Sequence, residues 1–487
     1  MTMTTESAVR PHAVRNYIGG RWVSSTMTGT SYSPATGEPL GDYYEVKPDQ
    51  VREAIRIAAD VFAAHEWRQN RQLRARVLNE MADRVEAAAD ELVLLLAREN
   101  GKTLPEAAFE LGLTPSKLRY YAAQALTDVG RGGRVRSGVY SMLLAEPIGV
   151  AGVIVPWNSP VVLSVRSFAP ALAAGCTVVM KMAAQTALVN ARLAQLLADC
   201  PSLPGGVLNI FTESGSAGAK LLVSSPEVAG LSYTGSTAVG RQIMADSGAT
   251  LKRLSLELGG KTPMIVFDDA DIDAAVATIV AGVTTFTGQF CMTGSRILVQ
   301  RSIADRIREK LVDAFERVRV GPGDRETSDM GPMIDIAARD RLVKLLAAHS
   351  ADVETLVAGG CPDDPELAGG AYFRPALLAV DDVNSALVQR ELFGPVATFE
   401  VFDTEEDAVQ LANATEYGLA ASVWTQHGQR GLRLAEKLDV GTVWTNGWAV
   451  VVDQFEEGGY KQSGLGRLNG HRGLEEFQEY KHVVQLV

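Results

Sequence analysis

The sequence predicts an α/β fold with two doubly wound domains. Its 487 residues exceed the ~250–300 residues at which one hydrophobic core stops growing, so two large domains are expected. Between about residues 149 and 259, short apolar β-rich runs alternate strictly with helical patterns, which is typical of a parallel sheet with crossover helices. A second alternating region begins at Thr262 and runs past residue 440, and the stretch ELGGK (257–261) separates the two regions.

The chain ahead of these regions is predicted to be mainly helical from Pro48 to about Glu99. The stretch VREAIRIAADVFAAHEW carries apolar residues at three- and four-residue spacing, which predicts one amphipathic helix. A second helix is predicted through VLNEMADRVEAAADELVLLLAREN, ending before Gly101. Thr103 and Glu106 have the spacing of a capping box, so a further helix is expected at TLPEAAFEL.

The two alternating regions supply the predicted strands. The first contains GVAGVIVP, TVVMKM, GVLNIF and GLSYTGS, each followed by a helical pattern, and the second contains SRILVQ, ATFEVF and SVWTQ. The tail EYKHVVQLV alternates after a glycine-rich loop and is predicted to be an edge strand. An edge strand at a terminus can pair with another subunit.

Charge and cysteine content exclude several classes of function. The net charge of −12, without a basic run, argues against a nucleic-acid or membrane-surface partner. The four cysteines form no CxxC pair and no disulfide framework, and six scattered histidines give no reason to expect a metal site. The N-terminus has no apolar core for a signal peptide, and no apolar run reaches ~18 residues, so a cytoplasmic protein is expected.

Candidate functional residues are expected where the strands end, because such sheets bind ligands at the carboxyl ends of their strands. WNSP follows GVIVP, Lys181 follows VVM, and TGSTAVG follows LSY. Helix N-termini at these junctions favour phosphate. The GxGxxG fingerprint is missing, however, and TGS taken alone is best explained as an N-cap.

Cys291, in GQFCMTGSR, is the candidate nucleophile. A lone cysteine is more often buried packing, and reactivity requires a lowered pKa or an adjacent base, with donors for an oxyanion. Glu257 is either that base or an exposed turn carboxylate. Asn158 either donates to an oxyanion or caps the helix that follows it. No single residue decides between these alternatives.

Several stretches together closely resemble the NAD(P)-dependent aldehyde dehydrogenase superfamily, in the family's order over more than 300 residues. They are PWNSP (156–160), KMAAQT (181–186), YTGSTAVG (233–240), LELGGK (256–261), GQFCMTGSR (288–296), ELFGPV (391–396), GTVWTN (441–446) and GGYKQSGLGR (458–467). The resemblance implies an enzyme that oxidises an aldehyde to the carboxylic acid with NAD, and possible use of NADP, through a cysteine thiohemiacetal and thioester. It implies no nucleic-acid or membrane partner.

The resemblance also implies a domain organisation. A Rossmann-like cofactor domain would span residues 1–125 and 147–256, and a catalytic domain would span residues 257–455. A small β oligomerisation element would comprise residues 126–146 and 474–487. A homodimer or homotetramer is expected.

The roles of single residues follow from the same resemblance. Cys291 would be the nucleophile, Glu257 the general base that primes water, and Asn158, with the Cys291 backbone N–H, the oxyanion hole. The residues that would hold or line the cofactor site are Trp157, Lys181, Ala184, Gly215, Gly235, Ser236, Glu391 and Phe393. The residues that would line the substrate site are Ser159, Arg166, Phe290 and Glu457.

The chain departs from the family pattern at four places. Ala184 stands where many strongly NAD-preferring relatives have a glutamate, so NADP is expected to be tolerated beside NAD. Glu456 and Glu457 replace a proline and a tunnel-facing phenylalanine. Ser167 and Leu468 replace the lysine and glutamate implicated in a proton path in relatives, so deacylation depends on Glu257 and water, or on another route.

The substrate is the least determined part of the prediction. The stretch WNSPVVLSVRSFAPAL looks most like the benzaldehyde, salicylaldehyde and vanillin oxidising branch, with Arg166 contacting a phenol or carboxylate. Arg166 paired with Glu457 is an equally good interpretation, and aliphatic or amino aldehydes are the alternative substrates. A CoA-acylating enzyme generally lacks the base glutamate, and a silent structural or binding protein on this fold would have lost Cys291, Asn158 or Glu257.

Overall fold

A computed structural model describes residues 13–127, 129–349 and 353–487. The strands are β1 (Asn16–Ile18), β2 (Arg21–Val23), β3 (Thr28–Tyr32), β4 (Pro39–Tyr44), β5 (Arg131–Arg136), β6 (Val139–Pro147), β7 (Val150–Ile154), β8 (Thr177–Ala183), β9 (Leu208–Glu213), β10 (Val228–Thr234), β11 (Arg253–Glu257), β12 (Pro263–Val266), β13 (Arg296–Gln300), β14 (Glu354–Val357), β15 (Ala376–Ala379), β16 (Val396–Phe402), β17 (Tyr417–Gly418), β18 (Ala420–Trp424), β19 (Thr442–Thr445), β20 (Tyr460–Lys461), β21 (Gly464–Leu465) and β22 (Gln478–Leu486).

The helices occupy most of the remaining chain. They are α1 (Pro48–Ala63), α2 (Glu66–Gln69), α3 (Arg71–Ala87), α4 (Ala89–Glu99), α5 (Leu104–Gly112), α6 (Thr114–Thr127), α7 (Pro160–Ala174), α8 (Ala187–Ala198), α9 (Ala217–Ser224), α10 (Thr237–Ser247), α11 (Ile272–Thr284), α12 (Ala304–Glu316), α13 (Ile336–His349), α14 (Ala386–Gln389), α15 (Glu405–Asn413), α16 (Arg430–Ala435) and α17 (Arg472–Glu475).

The first sheet has the strand order β2-β1-β9-β8-β7-β10-β11-β21. Its central strands, β9 to β11, pair in parallel, and β1 and β21 pair antiparallel at the two sides. The run VAGVI of β7 is wholly buried, as expected for a parallel strand covered on both faces. Helix α7 is buried along almost its whole length, which explains why its sequence is apolar on nearly all sides.

The second sheet has the order β14-β15-β16-β13-β12-β18-β19, with parallel pairing from β15 to β19 and an antiparallel β14 at one edge. The two sheets confirm the predicted α/β fold. Only residues 258–262 lie between β11 of the first sheet and β12 of the second. This short connection brings the carboxyl edge of the first sheet against the amino edge of the second.

A third, antiparallel sheet has the order β22-β6-β5. The predicted tail strand, β22, pairs with β6 over nine residue pairs, from Gln478 opposite Pro147 to Leu486 opposite Val139. Every residue of β5 is exposed.

The predicted domain bounds remain a prediction, and residues 1–12, 128 and 350–352 within them lie outside the described part of the chain. The expectation that the N-terminus carries no signal peptide also falls on residues 1–12. Among the described residues, the structure contains no helix long and apolar enough to span a membrane.

Two helix predictions were wrong in their extent. The single helix expected through VREAIRIAADVFAAHEW ends at Ala63, and Trp67 lies in α2, beyond His65 with a φ of 68°. The single helix expected to end before Gly101 is two helices, α3 and α4, separated at Ala88 with φ −102° and ψ 12°. Apolar periodicity continues across the break, so the pattern carried no signal of it. The predicted capping box is present, because the backbone N–H of Thr103 donates to Glu106 Oε2 at 2.8 Å.

Candidate active site

The candidate cofactor and catalytic residues of the first region lie at one edge of the first sheet. Trp157 and Asn158 follow β7, Ala184 follows β8, and Gly235 follows β10. Glu257 is the last residue of β11. Because these strands are parallel neighbours, their carboxyl ends meet along a single cleft.

Cys291 and Glu391 reach this cleft from the second sheet, where they precede the amino ends of β13 and β16. The turn before Cys291 is irregular, with positive φ at Phe286 and Thr287. A Cβ at Gly260 would lie 2.3 Å from the backbone oxygen of Cys291, so only glycine allows this close approach. Cys291 therefore could not be predicted from the rule that ligands bind at the carboxyl ends of parallel strands.

A narrow pocket with a cavity volume of about 60 Å³ adjoins Cys291. One part of its wall is apolar and includes Phe109, Leu113, Val162, Leu163, Phe286, Phe290, Met292 and Val451. The polar part includes Asn158, Ser159, Arg166, Glu457, Lys117 and Asn469. All four residues predicted to line the substrate site thus lie in one wall with Cys291 and Asn158.

Asn158 is oriented by the cysteine loop and does not cap α7. Its Nδ2 donates to the backbone oxygen of Gln289 at 3.1 Å, and Ser159 occupies the N-cap position. An asparagine amide carries two N–H donors, so this bond fixes the amide and leaves one further donor.

Glu257 is 4% exposed, which rules out the exposed turn carboxylate. Among the described residues its Oε1 has no hydrogen-bond partner. Burial raises the pKa of Glu257 to about 7, although the positive charge of Arg166 opposes that rise. A carboxyl with a pKa near neutrality can accept or return a proton at physiological pH.

Cys291 is half-buried and borders the pocket, whereas Cys176 and Cys200 are buried packing residues and Cys361 is exposed. Burial raises the pKa of the Cys291 thiol to about 12. The Arg166 charge opposes this rise, and the nearby carboxylates, Glu391 first, add to it. A thiolate at this position therefore needs a base to accept its proton.

Arg166 makes polar contacts with the protein itself. Its Nη1 lies 3.6 Å from Glu457 Oε2, and its Nη2 donates to Thr234 Oγ1 at 3.2 Å. Both charged side chains are almost completely buried. The structure thus favours the pairing of Arg166 with Glu457, which the sequence left as one of two interpretations.

The nicotinamide side of the candidate cofactor site is built around Glu391. Its Oε1 accepts from the backbone N–H of Gly260 at 3.1 Å, and burial raises its pKa to about 7. A Cβ at Gly259 would lie 2.5 Å from Glu391 Oε2. The rings of Trp157 and Phe393 pack edge to face, with centroids 5.6 Å apart.

Lys181 is the residue predicted to lie near the adenosine ribose. Burial lowers its pKa, while the charges of Glu213 and Glu45 raise it. Neither carboxylate was found in the sequence, because their approach to Lys181 depends on β9 and on the chain after β4. Ala184 lacks the carboxylate that many relatives have at this position, but Glu45 and Glu213 still contribute negative charge near Lys181.

Ser236 and Gly235, predicted to lie near the pyrophosphate, stand just before α10. Ser236 is exposed and its Oγ accepts from the backbone N–H of Val239 at 3.5 Å, so it is an N-cap, as its sequence context indicated. A Cβ at Gly235 would lie 2.3 Å from the Tyr233 hydroxyl, so packing alone requires that glycine. Gly215 is exposed, and a Cβ there would touch nothing. The exposed N-terminus of α10, an 11-residue helix, fits a dinucleotide's phosphates.

Several polar residues around the pocket escaped the sequence analysis. Lys117 Nζ donates to Asp453 Oδ1 at 2.6 Å and to Asn469 Oδ1 at 2.7 Å. Their partners are 336 and 352 residues away along the chain, so no local pattern marks them. In the described ranges there is no cluster of three or more His, Cys, Asp or Glu side chains that could hold a metal ion.

Comparisons with known proteins agree on one family. The model of the aldehyde dehydrogenase family matches residues 22–483. Betaine aldehyde dehydrogenase of Bacillus subtilis is 35% identical over 477 residues, which cover 96% of each chain. Mitochondrial succinate-semialdehyde dehydrogenase of Arabidopsis thaliana is 36% identical over 470 residues, covering 96% of this chain and 88% of the relative.

A solved structure is similarly close. Betaine aldehyde dehydrogenase of Staphylococcus aureus in complex with NAD+ superposes with a TM-score of 0.95 at 35% identity, covering 97% of this chain and 95% of the other. The names of these relatives give no support to the predicted aromatic branch.

Proposed function

The chain belongs to the aldehyde dehydrogenase family and is an aldehyde dehydrogenase that uses NAD, and on that premise we propose that Cys291, Asn158 and Glu257 carry its chemistry. The observation that carries the proposal is that the half-buried Cys291 and the fixed Asn158 amide border one pocket, while the charge of the buried Glu257 carboxyl acts on the Cys291 thiol. This combination has no counterpart at the other three cysteines.

Acylation begins with attack by the Cys291 sulfur on the aldehyde carbon. The carbonyl oxygen becomes an oxyanion, which the free N–H of Asn158 and the Cys291 backbone N–H stabilise. The thiol loses its proton as the C–S bond forms, and Glu257, with the lower pKa, is the base that can accept it directly or through water. When bound, NAD supplies the acceptor for the hydride, which leaves a thioester on Cys291.

Deacylation needs a water molecule and a base. Glu257 first releases to solvent the proton taken from the thiol, and it then takes a proton from water as the water oxygen adds to the thioester carbon. The Cys291 thiolate leaves to give the carboxylic acid, and Glu257 returns a proton to the sulfur. The family's usual lysine and glutamate are replaced here by Ser167 and Leu468. The charge that acts most strongly on Glu257 in this chain is instead that of Arg166, which keeps the pKa of Glu257 from rising further.

For the cofactor, Lys181 and Ala184 would face the adenosine ribose, and Ser236 the pyrophosphate. Glu391 would bind the nicotinamide ribose, beside Phe393. NADP is proposed as a second, tolerated cofactor because Ala184 carries no carboxylate. The nearby Glu45 and Glu213 charges limit that tolerance.

We propose an aliphatic aldehyde, amino aldehydes included, as the substrate class in place of an aromatic one. The named relatives act on betaine aldehyde and succinate semialdehyde. In addition, Arg166 is already paired with Glu457, so it does not require a phenol or carboxylate on the substrate. The polar wall of Ser159 and Glu457 suits a polar group at the far end of a short chain.

Formation of reduced cofactor by the purified protein tests both the proposed substrate class and the proposed mechanism. Betaine aldehyde, 4-aminobutanal, succinate semialdehyde, butanal, benzaldehyde and salicylaldehyde are compared, each with NAD and NADP. We expect the aliphatic and amino aldehydes to lead, and Cys291→Ala to abolish turnover. Preference for the two aromatic aldehydes would overturn the substrate class, and turnover that survives in Cys291→Ala would overturn the mechanism.

We also propose that the chain assembles into a homodimer or homotetramer through the sheet formed by β5, β6 and β22. The wholly exposed β5 and the exposed apolar residues Tyr140, Leu144, Val484 and Leu486 support this surface. Sedimentation equilibrium is the measurement, and a monodisperse monomer would overturn the proposal.

A further inference from the structure

A group of charged residues just before and within α5 contacts the main chain of Asn158 and the turn that leads to Cys291. We call Lys102, Glu106 and Glu110 the α5 clamp. Glu106 and Glu110 are four residues apart, so they lie on one face of α5. The side chains of Lys102 and Glu110 are 1% and 0% exposed, and they form an ion pair of 2.7 Å.

Lys102 and Glu110 hold the main chain at Asn158 and in the residues just after it. Lys102 Nζ donates to the backbone oxygen of Asn158 and to Glu110 Oε2. Glu110 Oε1 accepts from the backbone N–H groups of Val161 and Val162, at 2.8 and 3.2 Å, in the first turn of α7. A carboxylate there accepts hydrogen bonds from N–H groups that would otherwise lack a partner, and its negative charge interacts favourably with the positive end of the helix dipole.

The same group holds the turn that leads to Cys291. Glu106 Oε1 accepts from the backbone N–H of Phe286 at 2.7 Å. Lys102 Nζ also lies 4.3 Å from the centre of the Phe286 ring. Phe286 has a φ of 53°, a conformation that bulky residues adopt only when their surroundings impose it.

We infer that the α5 clamp positions the oxyanion hole, with Lys102 as its central residue. None of its three side chains needs to touch the aldehyde: the ammonium fixes the Asn158 main chain, and Glu106 fixes the Phe286 turn of the cysteine loop. The two loops come from different sheets, so α5 sets the position of one relative to the other. The inference rests on the proposed function of Asn158 and Cys291.

A double-mutant cycle separates positioning through Asn158 from a general structural role. The rate of acylation is read as the pre-steady-state burst of NADH in the full-length protein. We expect Lys102→Met to lower this rate by about 10- to 100-fold, since a displacement of about 1 Å can cost about 100-fold. In an Asn158→Ala background, the same change should alter the rate by less than about twofold.

Alkylation of Cys291 by iodoacetamide provides a second readout. This reaction forms a C–S bond with loss of iodide and creates no oxyanion, so it does not need Asn158. We expect Lys102→Met to leave the alkylation rate of the Cys291 peptide, followed by mass spectrometry, within about twofold of the wild type. Lys102→Arg, which keeps a cation and its donors, should recover part of the lost burst rate.

Arg74→Met is the matched control, because Arg74 is also a buried cation that donates to main-chain oxygens, those of Trp67 and Arg68. It should lower thermal stability and leave the burst rate unchanged. Where Lys102→Met alone fails to fold because Glu110 is left buried and unpaired, Lys102→Met/Glu110→Gln removes both charges and is read by the same criteria.

The inference would be overturned if Lys102→Met lowered the burst rate equally with Asn158 present and with Asn158→Ala. It would also be overturned if Lys102→Met lowered the alkylation rate together with the burst rate, or if Arg74→Met lowered the burst rate as much as Lys102→Met. A wild-type protein without a burst, or a burst that survives in Cys291→Ala, would instead overturn the proposed function itself.

Discussion

The buried Glu257 carboxyl is expected to lower the stability of the folded protein at the pH where it would act as a base, and Glu257→Gln tests this. Its pKa is about 7 in the folded protein against an ordinary value of 4.5. At about 1.36 kcal/mol per pH unit, this difference amounts to about 3 kcal/mol. Glutamine has nearly the same shape and no charge to bury.

The sign follows from proton binding in the two states. Below pH 4.5 the carboxyl is protonated in both the folded and the unfolded chain, so its contribution to stability is fully present. Between pH 4.5 and 7 the unfolded chain releases its proton while the folded chain keeps it, and stability is lost. Above pH 7 the loss reaches its limit of about 3 kcal/mol.

Urea unfolding of the wild type and of Glu257→Gln at pH values from 4.5 to 8 measures this effect. The free energy of unfolding of the variant, relative to the wild type, should rise by up to about 3 kcal/mol across this range, and pH 4.5 serves as the internal control. The variant should also lose steady turnover, because acylation and deacylation both use this carboxyl as the base. A difference in stability that does not change with pH would refute the argument from burial.

Three further predictions concern the charge, the backbone and the cofactor. Arg166→Met removes the cation that lowers the pKa of Glu257, so the rising limb of kcat against pH should move to higher pH; an unmoved limb would contradict this. Gly260→Ala places a Cβ 2.3 Å from the Cys291 oxygen, so the burst rate should fall by about 100-fold, and an unchanged burst would show that the loop can move aside. Ala184→Glu should lower kcat/KM for NADP relative to NAD by about tenfold, because the new carboxylate repels the 2′-phosphate. Steady-state kinetics with both cofactors measures this ratio, and a ratio equal to that of the wild type would contradict the prediction.

Much of the fold could be predicted because its signals are local. The apolar run of β7 and the alternation of strand and helix patterns predicted the two parallel sheets, and the alternating pattern of the tail predicted β22 as an edge strand. The break at Ala88 was missed because apolar spacing continues through it.

The site was predicted less evenly. Ser236 follows β10 and Glu257 ends β11, so their meeting at the carboxyl edge of the first sheet was expected. Lys181, expected after its strand, lies within β8 near its carboxyl end. Cys291 and Glu391 lie before strands of the second sheet, and there the family resemblance, rather than the strand-end rule, singled them out. The aromatic substrate, inferred from the α7 sequence and Arg166, found no support among the relatives.

The sequence by itself determined the alternating sheets, the absence of a disulfide framework, and the motifs that mark the family. Only the tertiary structure decided what Arg166, Lys102 and Glu110 do, because their partners are contributed by distant segments: Glu457 lies 291 residues beyond Arg166, and Lys102 reaches Asn158 across 56 residues. Whether a buried charge is paired, fixed or left to titrate depends on what surrounds it in three dimensions, and spacing along a chain does not specify that environment.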